Sequence, residues 1–399
     1  MKILLIDVNC KQSSTGKIVY DLYTQCNKDG HTAAICYGRG PRVDEPNIYK
    51  FSSTIEVYLH ALLTRITGLT GYYSFFSTRK LIKFIASYQP DVVHIHELHA
   101  YFVNLKPVID YLKKNNIRTI WTFHCEFMYT GKCGYAYDCE KWKNECGKCP
   151  YLRDYPSSLI FDFTKKMFND KKKMFENFNN LTIVTPSKWL ADRTKLSFLK
   201  DKKIEVIYNG IDTNIFKPKN IDYLKLKHNI TDQKIIVYVT ADFDNERKGG
   251  KYVLELAKRL QFENIKMFIV GNKKVLENLP KNIIMVGRTN NQDKLADYYN
   301  LADLSLITSK KETFSMICAE SLSCGTPIVG FEAGAPETIT IQEYSEFVKY
   351  GNMDALIQAV YRWIDKKNEV TADLAKKAAK KYSKERMYAN YLKLYSNRL

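Results

Sequence analysis

No apolar run in this 399-residue chain approaches the ~18 residues needed to cross a bilayer, so a membrane-spanning helix is not expected. The opening segment, Met1-Lys-Ile-Leu-Leu-Ile-Asp7, is too short an apolar stretch for a secretory signal, and Asp7 ends it. The expectation is a cytoplasmic protein, either free or docked peripherally on the inner face of a membrane. Two nucleotide-binding loops are also missing. Neither the G-x-x-x-x-G-K-S/T spacing of a Walker A loop nor G-x-G-x-x-G occurs. No sequence repeat relates the two halves of the chain. Acidic residues are outnumbered, 43 against 61 basic, for a formal charge of +18. That balance suits a lysine-rich solvated surface, an anionic membrane face, or a polyanionic ligand such as a nucleotide or nucleic acid. Aromatic and basic residues mix in two stretches, Tyr58–Phe84 and Phe161–Phe178. Each fits an interfacial site or an ordinary helix packed on a sheet.

What is present is an alternation of short apolar runs and helical patterns, long enough for two cores. Lys2–Val8 reads as a strand. It is followed by the small-residue loop Asn9–Gly16 and a helix from Lys17. Strands recur at His31–Tyr37, Asp91–His96, Arg118–His124, Leu181–Thr185 and Lys203–Tyr208. The polar, irregular stretch Asn209–Lys234 reads as a connection, after which strands return at Lys234–Thr240, Ile265–Gly271, Ile283–Gly287 and Leu304–Thr308. Such alternation predicts an α/β protein of two doubly wound parallel sheets facing each other across a cleft. In those sheets ligands sit outside the carboxyl ends of strands, where Gly16, His94, His96, Glu97 and His124 fall in the first half.

The densest constellation is Lys310–Thr338, KKETFSMICAESLSCGTPIVGFEAGAPET. Glu312 lies on a loop after a strand, and Glu320 on a short helix starting near Ser315. A hydrolase pair is the first thought, but the geometry opposes it. Eight helical steps rise roughly 12 Å with faces about 80° apart, whereas hydrolase carboxylates stand ~5–9.5 Å apart across one bond. Across a strand-to-helix turn both acids can instead serve different parts of one larger ligand. Carboxylates accept hydrogen bonds from vicinal hydroxyls, so a ribose and a sugar are natural partners. Backbone N–H groups of Phe314, Ser315 and Met316 at the helix start suit a phosphate. Lys248, beside Arg247, would add positive charge. Glu312 alone is also consistent with a surface-loop acid. Glu320, among Ile317, Ala319 and Leu322, should have a buried partner.

The run Glu312-Thr-Phe-Ser-Met-Ile-Cys-Ala-Glu320 resembles the Glu-x7-Glu motif of retaining nucleotide-sugar glycosyltransferases of family four, which have the GT-B fold. The resemblance extends through Ser14-Thr-Gly16, Pro90–His96, Trp121–His124, Thr185–Trp189, Val206–Asp212, Arg247-Lys-Gly249 and Gly287. It implies a Rossmann-like acceptor-side domain over 1–210, a nucleotide-sugar-binding domain over 211–380, and a helix at 381–399 returning to the first domain. Glu312 would bind donor-sugar hydroxyls and Glu320 the ribose. Lys248 and Arg247 would neutralise the departing diphosphate. Gly16 would let backbone amides approach that diphosphate, His124 would line the sugar and acceptor site, and Gly287 and Arg288 would lie by the base. Members often carry an arginine six residues before the motif lysine. Here that position is Asp242, and Arg247 is the candidate replacement. The resemblance further implies transfer with retention, no metal required for catalysis, and a saccharide or lipid-linked saccharide acceptor in cell-surface polysaccharide biosynthesis. No nucleic-acid partner is expected, and an anionic membrane surface stands as a further candidate partner.

A Cys-rich insert over 125–150 places Cys133, Cys139, Cys146 and Cys149 just after His124. Structural zinc, unligated thiols and disulfides are the three readings, the last disfavoured in a reducing compartment. Two other functions stay open at this stage. Another GT-B enzyme, such as a nucleotide-sugar epimerase, would convert a sugar nucleotide without an acceptor. A basic nucleic-acid or zinc module would bind nucleic acid with steep salt dependence.

Overall fold

The computed structural model describes residues 1–274, 276–289 and 291–396. The chain divides into two units, Met1–Tyr208 with Tyr388–Leu399, and Asn209–Met387.

The first unit is built on strands β1 (Lys2–Asp7), β2 (Thr32–Tyr37), β3 (Ile48–Lys50), β4 (Val92–Ile95), β5 (Thr119–Thr122), β6 (Leu181–Thr185) and β7 (Lys203–Val206). They form one sheet in the order β3-β2-β1-β4-β5-β6-β7, every pair parallel. Its helices are α1 (Ser13–Lys28), α2 (Thr54–Thr67), α3 (Phe75–Tyr88), α4 (Leu105–Lys114), α5 (Thr164–Phe175) and α6 (Lys188–Lys195). Parallel strands covered on both faces must be apolar throughout. β1 shows this with Ile3, Leu4, Leu5 and Ile6 all fully buried. Order reverses between β1 and β4, so the ligand crevice of this sheet opens beyond Asp7 and Ile95.

The second unit carries α7 (Asp222–Lys227), β8 (Lys234–Val239), α8 (Gly250–Arg259), β9 (Ile265–Asn272), β10 (Ile283–Gly287), α9 (Gln292–Leu301), β11 (Leu304–Ile307), α10 (Met316–Ser323), β12 (Ile328–Phe331), α11 (Pro336–Ile339), β13 (Ser345–Val348), α12 (Met353–Trp363) and α13 (Lys367–Tyr382). Its parallel sheet runs β10-β9-β8-β11-β12-β13. The switch point lies between β8 and β11, the strands leading to Lys248 and Glu312.

The expected doubly wound architecture is observed. Several details differ. β3 and β13 are edge strands too short to show a period in sequence. The "connection" contains helix α7. The units part after Tyr208 and again after Met387, not at 210 and 380. The reason lies in local pairing: Ile211 bridges Ser383, with Ile211 N–H donating to Tyr382 O (2.8 Å) and Lys384 N–H to Ile211 O (2.9 Å). That bridge holds residues 209–212 and 382–387 in the second unit and splits the expected single C-terminal helix at Ser383, giving a separate α14 (Lys384–Ser396). From Tyr388 onward α14 belongs to the first unit. There Tyr391 Oη meets Thr122 Oγ1 (2.9 Å), Tyr395 Oη meets His94 Nδ1 (2.7 Å), and the Arg118 guanidinium donates to the carbonyls of Leu394 and Tyr395.

Candidate active site

In the second unit, the loops after β8 and β11 are stitched together by their own backbone. Lys248 O accepts from Tyr238 Oη (2.7 Å) and Thr308 Oγ1 (3.0 Å), and Lys310 N–H donates to Arg247 O (2.7 Å). Gly249 follows at φ 75°, and a Cβ there would run into Thr308 O, so the close approach of the two loops demands glycine. Asn245 caps the 3-10 turn Glu246–Lys248 by accepting from Arg247 N–H (3.1 Å).

This stitching brings three predicted residues into contact. Glu312 Oε1 accepts from Lys248 Nζ (2.6 Å) and Arg247 Nη1 (3.0 Å). The Glu312 side chain is 13% exposed, those of Arg247 and Lys248 17% and 24%. Burial alone would raise the Glu312 carboxyl. The two cations outweigh it and hold it down at about 2. Arg247, not the acid at 242, thus stands beside the motif lysine, with Asp242 exposed on the preceding loop. The Glu312 backbone is fixed by bonds to Ala333 O (2.9 Å) and from Ala335 N–H (3.2 Å).

Downstream, Ser315 caps α10 from φ 89°, accepting from Cys318 N–H (3.4 Å). A non-glycine residue held at that φ stores strain of the kind found at ligand-binding turns. Glu320 faces into the unit and accepts from Tyr299 Oη (3.0 Å) on α9, which supplies the buried partner its surroundings required. Gly287 and Arg288 lie at the end of β10, two strands away from β8 at the sheet edge. Among the described residues, no hydrogen bond or ion pair links them to the Glu312 cluster.

In the first unit, Asp7 organises the crevice. Its carboxylate accepts from Glu97 N–H (3.0 Å), Asn9 N–H (3.3 Å) and Thr15 Oγ1 (3.1 Å). Burial, then the Glu97 charge, pushes it up to about 7. Gly16 sits in the first turn of α1, where a Cβ would press on Asn9 O at 3.1 Å. His124 Nε2 meets His96 Nδ1 (2.9 Å), and the His96 ring lies tilted against that of His94, with centroids 4.1 Å apart. Burial, reinforced by His99, lowers His124 to about 3, so the imidazole is neutral near pH 7. It can exchange neutral hydrogen bonds with a hydroxyl but cannot act as a fixed cation.

Beside it, ligand atoms of Glu97, His99 and Cys125 lie within 4.8 Å of one another. Both His99 nitrogens stand back from Cys125 Sγ, at 3.7 and 4.0 Å, so neither lone pair is singled out for a shared ion. His99, Cys125 and Asp7 escaped sequence reasoning, although all three sit at strand ends where the topology rule would have pointed.

The Cys-rich insert is held by other means. Glu126, fully buried, pairs with Arg193 Nε (2.7 Å) and accepts from Tyr129 Oη and Ala136 N–H. Lys171, buried, donates to the carbonyls of Phe127, Thr130 and Gly131, and burial lowers it to about 7. Sulfur ligands of one tetrahedral zinc stand about 3.8 Å apart. Cys146 Sγ is engaged otherwise, accepting from Gly131 N–H (3.1 Å). Among the described residues no three of the four thiols gather within 4.8 Å, so this arrangement does not fit the expected zinc site.

Two doubly wound parallel sheets, one with a carboxylate and two cations at its switch point, define a glycosyltransferase of the GT-B fold. The chain belongs to Glycosyltransferase Family 4, whose model matches residues 15–215, and the model for glycosyl transferases group 1 matches residues 220–381. It is 24% identical to WcaC of Escherichia coli over 100% of both chains, a protein whose name assigns it to glycosyl transfer in colanic acid biosynthesis. It is also 24% identical, over 63% of this chain and 68% of the other, to a Campylobacter jejuni N-acetylgalactosaminyltransferase named for a diphospho-undecaprenol-linked acceptor. Among solved structures, sucrose-phosphate synthase of Thermosynechococcus elongatus superposes with TM-score 0.71 at 16% identity, covering 99% of this chain and 98% of that one. HepE of Anabaena, solved with UDP-glucose, gives 0.67 at 12% identity over 99% of both chains.

Proposed function

We propose that the protein moves a sugar, with retention, from a nucleoside diphosphate sugar to a lipid-linked saccharide in cell-surface polysaccharide biosynthesis. The observation that carries this reading is the Glu312 carboxylate shared by Lys248 and Arg247 at the β8–β11 switch point. Two cations held on one acid are a latent diphosphate site. When the donor diphosphate takes their charge, Glu312 is released to accept hydrogen bonds from sugar hydroxyls. Glu320, positioned by Tyr299, holds the ribose.

The chemistry then needs little else. The bond to the leaving phosphate breaks ahead of attack, and the growing diphosphate charge is stabilised by Lys248, Arg247 and the N–H groups around Ser315. The departing phosphate oxygen takes the acceptor proton, so no carboxylate need act as base or nucleophile. In the first unit, the neutral His124–His96 pair can exchange hydrogen bonds with a hydroxyl of the acceptor. The names of the Escherichia and Campylobacter relatives support the polysaccharide role and the lipid-linked form of the acceptor.

Thermal-shift screening against a panel of nucleoside diphosphate sugars, followed by transfer assays on Lys248→Ala, tests the reading. Lys248→Ala is expected to lower turnover by about 10²–10³ with the fold intact by circular dichroism. Full turnover in that variant would overturn the site assignment.

A further inference from the structure

A surface helix normally buries its apolar stripe and presents its polar face to water. Helix α2 does the reverse. Its buried residues are His60 and Thr64. Ile55, Tyr58, Leu59 and Leu62 are exposed at 74%, 72%, 53% and 54%, and their spacing of three and four places them on one stripe. His60 enforces this orientation: Nδ1 meets Ser74 Oγ at 2.8 Å, and Nε2 accepts Gly71 N–H at 3.1 Å. Rolling the helix to hide the leucines would break both bonds.

Two further segments extend the stripe. Leu159 N–H donates to Arg65 O (2.7 Å) and Phe161 N–H to Ile66 O (3.3 Å), which lays the exposed Leu159, Ile160 and Phe161 beside the last turn of α2. Phe76 N–H donates to Glu56 Oε1 (2.9 Å), which brings the exposed Phe75 and Phe76 to its first turn. Three stretches distant in sequence thus converge on one apolar surface, unlike the scattered apolar residues of an ordinary exterior.

A cavity of about 580 Å³ adjoins this surface, lined among others by Tyr58, Leu62, Tyr101, Arg39, Lys50 and Arg65. No carboxylate lines it. Arg39 donates to the Ala100 carbonyl and Lys50 to the Gly40 carbonyl, both uncharged acceptors. From Tyr101, rings lead through Tyr155 (6.5 Å) to His99 (6.2 Å), beside Cys125 and the strand end that carries His124. Three cations bordered by a long apolar stripe match one chemical class, an amphiphile with an anionic head and a hydrocarbon chain.

We propose that this cavity binds the diphosphate of a membrane-held, lipid-linked acceptor, with the hydrocarbon lying along α2 as the helix rests in the bilayer interface. This rests on the lipid-linked acceptor of the proposed function. It adds the place where such an acceptor docks and the residues that hold it.

Flotation with three vesicle compositions tests it: phosphatidylcholine alone, phosphatidylcholine with phosphatidylglycerol, and phosphatidylcholine with a polyprenyl diphosphate at matched charge. The protein is expected to float most strongly with the polyprenyl diphosphate. The double variant Leu59→Glu/Leu62→Glu, altered only at exposed positions, should float at least about tenfold less. Arg65→Ala should weaken the diphosphate-vesicle interaction about fivefold. Donor binding should be unchanged in both variants, read by isothermal titration with the nucleoside diphosphate sugar, so that a failed surface is told apart from a failed donor site. Three results would each overturn the proposal: no flotation of the wild type with any vesicle, flotation of Leu59→Glu/Leu62→Glu at the wild-type level, or sedimentation showing a dimer that the double variant abolishes. Saturating inorganic pyrophosphate should remove the extra flotation with the polyprenyl diphosphate and leave phosphatidylcholine flotation unaffected; extra flotation that pyrophosphate does not reduce would equally overturn it.

Discussion

Glu312→Gln separates two roles of one carboxylate. Without ligand, Glu312 neutralises Lys248 and Arg247. Moving a glutamic acid from its ordinary 4.5 down to about 2 corresponds to about 3 kcal/mol of preference for the charged form in the folded state. Both cations are partly exposed, and water recovers some of their charge when the acid is lost. The expected loss on substitution is therefore about 2 kcal/mol, less than for a fully buried pair. For a unit of this size that lowers the melting temperature by about 4–8 °C at pH 7. The sign with pH follows from the depressed pKa. The stabilisation is fully present above about pH 4.5 and is lost as pH falls through about 2, so the melting curves of variant and wild type should converge over that window. Ligand binding should move oppositely. A bare nucleoside diphosphate no longer competes with a carboxylate for the two cations, so its affinity should hold or rise. Transfer, which needs the sugar hydroxyls held, should fall by at least about 10². Calorimetry across pH, titration with the nucleoside diphosphate and a transfer assay read the three quantities. Unchanged melting at pH 7 together with weaker diphosphate binding would refute the reasoning.

Three other substitutions probe the same architecture. Gly249→Ala forces a side chain onto Thr308 O at a left-handed φ, and should cost more than about 1 kcal/mol in denaturant titration and displace Lys248 from Glu312; wild-type stability would contradict the stitched-loop account. Tyr299→Phe removes a donor to the buried Glu320, and should weaken nucleoside diphosphate binding about tenfold while leaving inorganic pyrophosphate binding unchanged, since only the ribose is served. Equal loss for both ligands would remove Glu320 from the ribose role. Arg193→Met strands the fully buried Glu126 and should destabilise the first unit by about 3–5 kcal/mol, whereas zinc chelation should leave its melting unchanged; the reverse pattern would restore a metal to the cysteine insert.

Much of the site was legible because its chemistry is local in sequence. Glu312 and Glu320 straddle a strand-to-helix turn, and Arg247, Lys248 and Gly249 are consecutive, so spacing alone could nominate them. The choice among zinc, free thiols and disulfides was not legible in the same way, for a reason equally physical. Four cysteines at suggestive spacing say which thiols exist, not whether the chain between them folds to bring their sulfurs together. That folding is directed instead by Glu126–Arg193 and by Lys171, residues with no mark in the sequence.

The amino-acid sequence by itself determined the class of architecture, since short continuous apolar runs alternating with helical patterns bury both strand faces in parallel sheets. It also nominated Glu312, Glu320, Arg247 and Lys248 as candidates, because each pair lies close together in the chain. Tertiary structure alone decided that Glu312 rests on two cations, that Asp7 gathers the first crevice, and that the ends of the units are set by the Ile211–Ser383 bridge. It alone decided that α2 turns its leucines outward. Bonds made between separate segments, those of His60 to Ser74 and Gly71 among them, hold the stripe in the open.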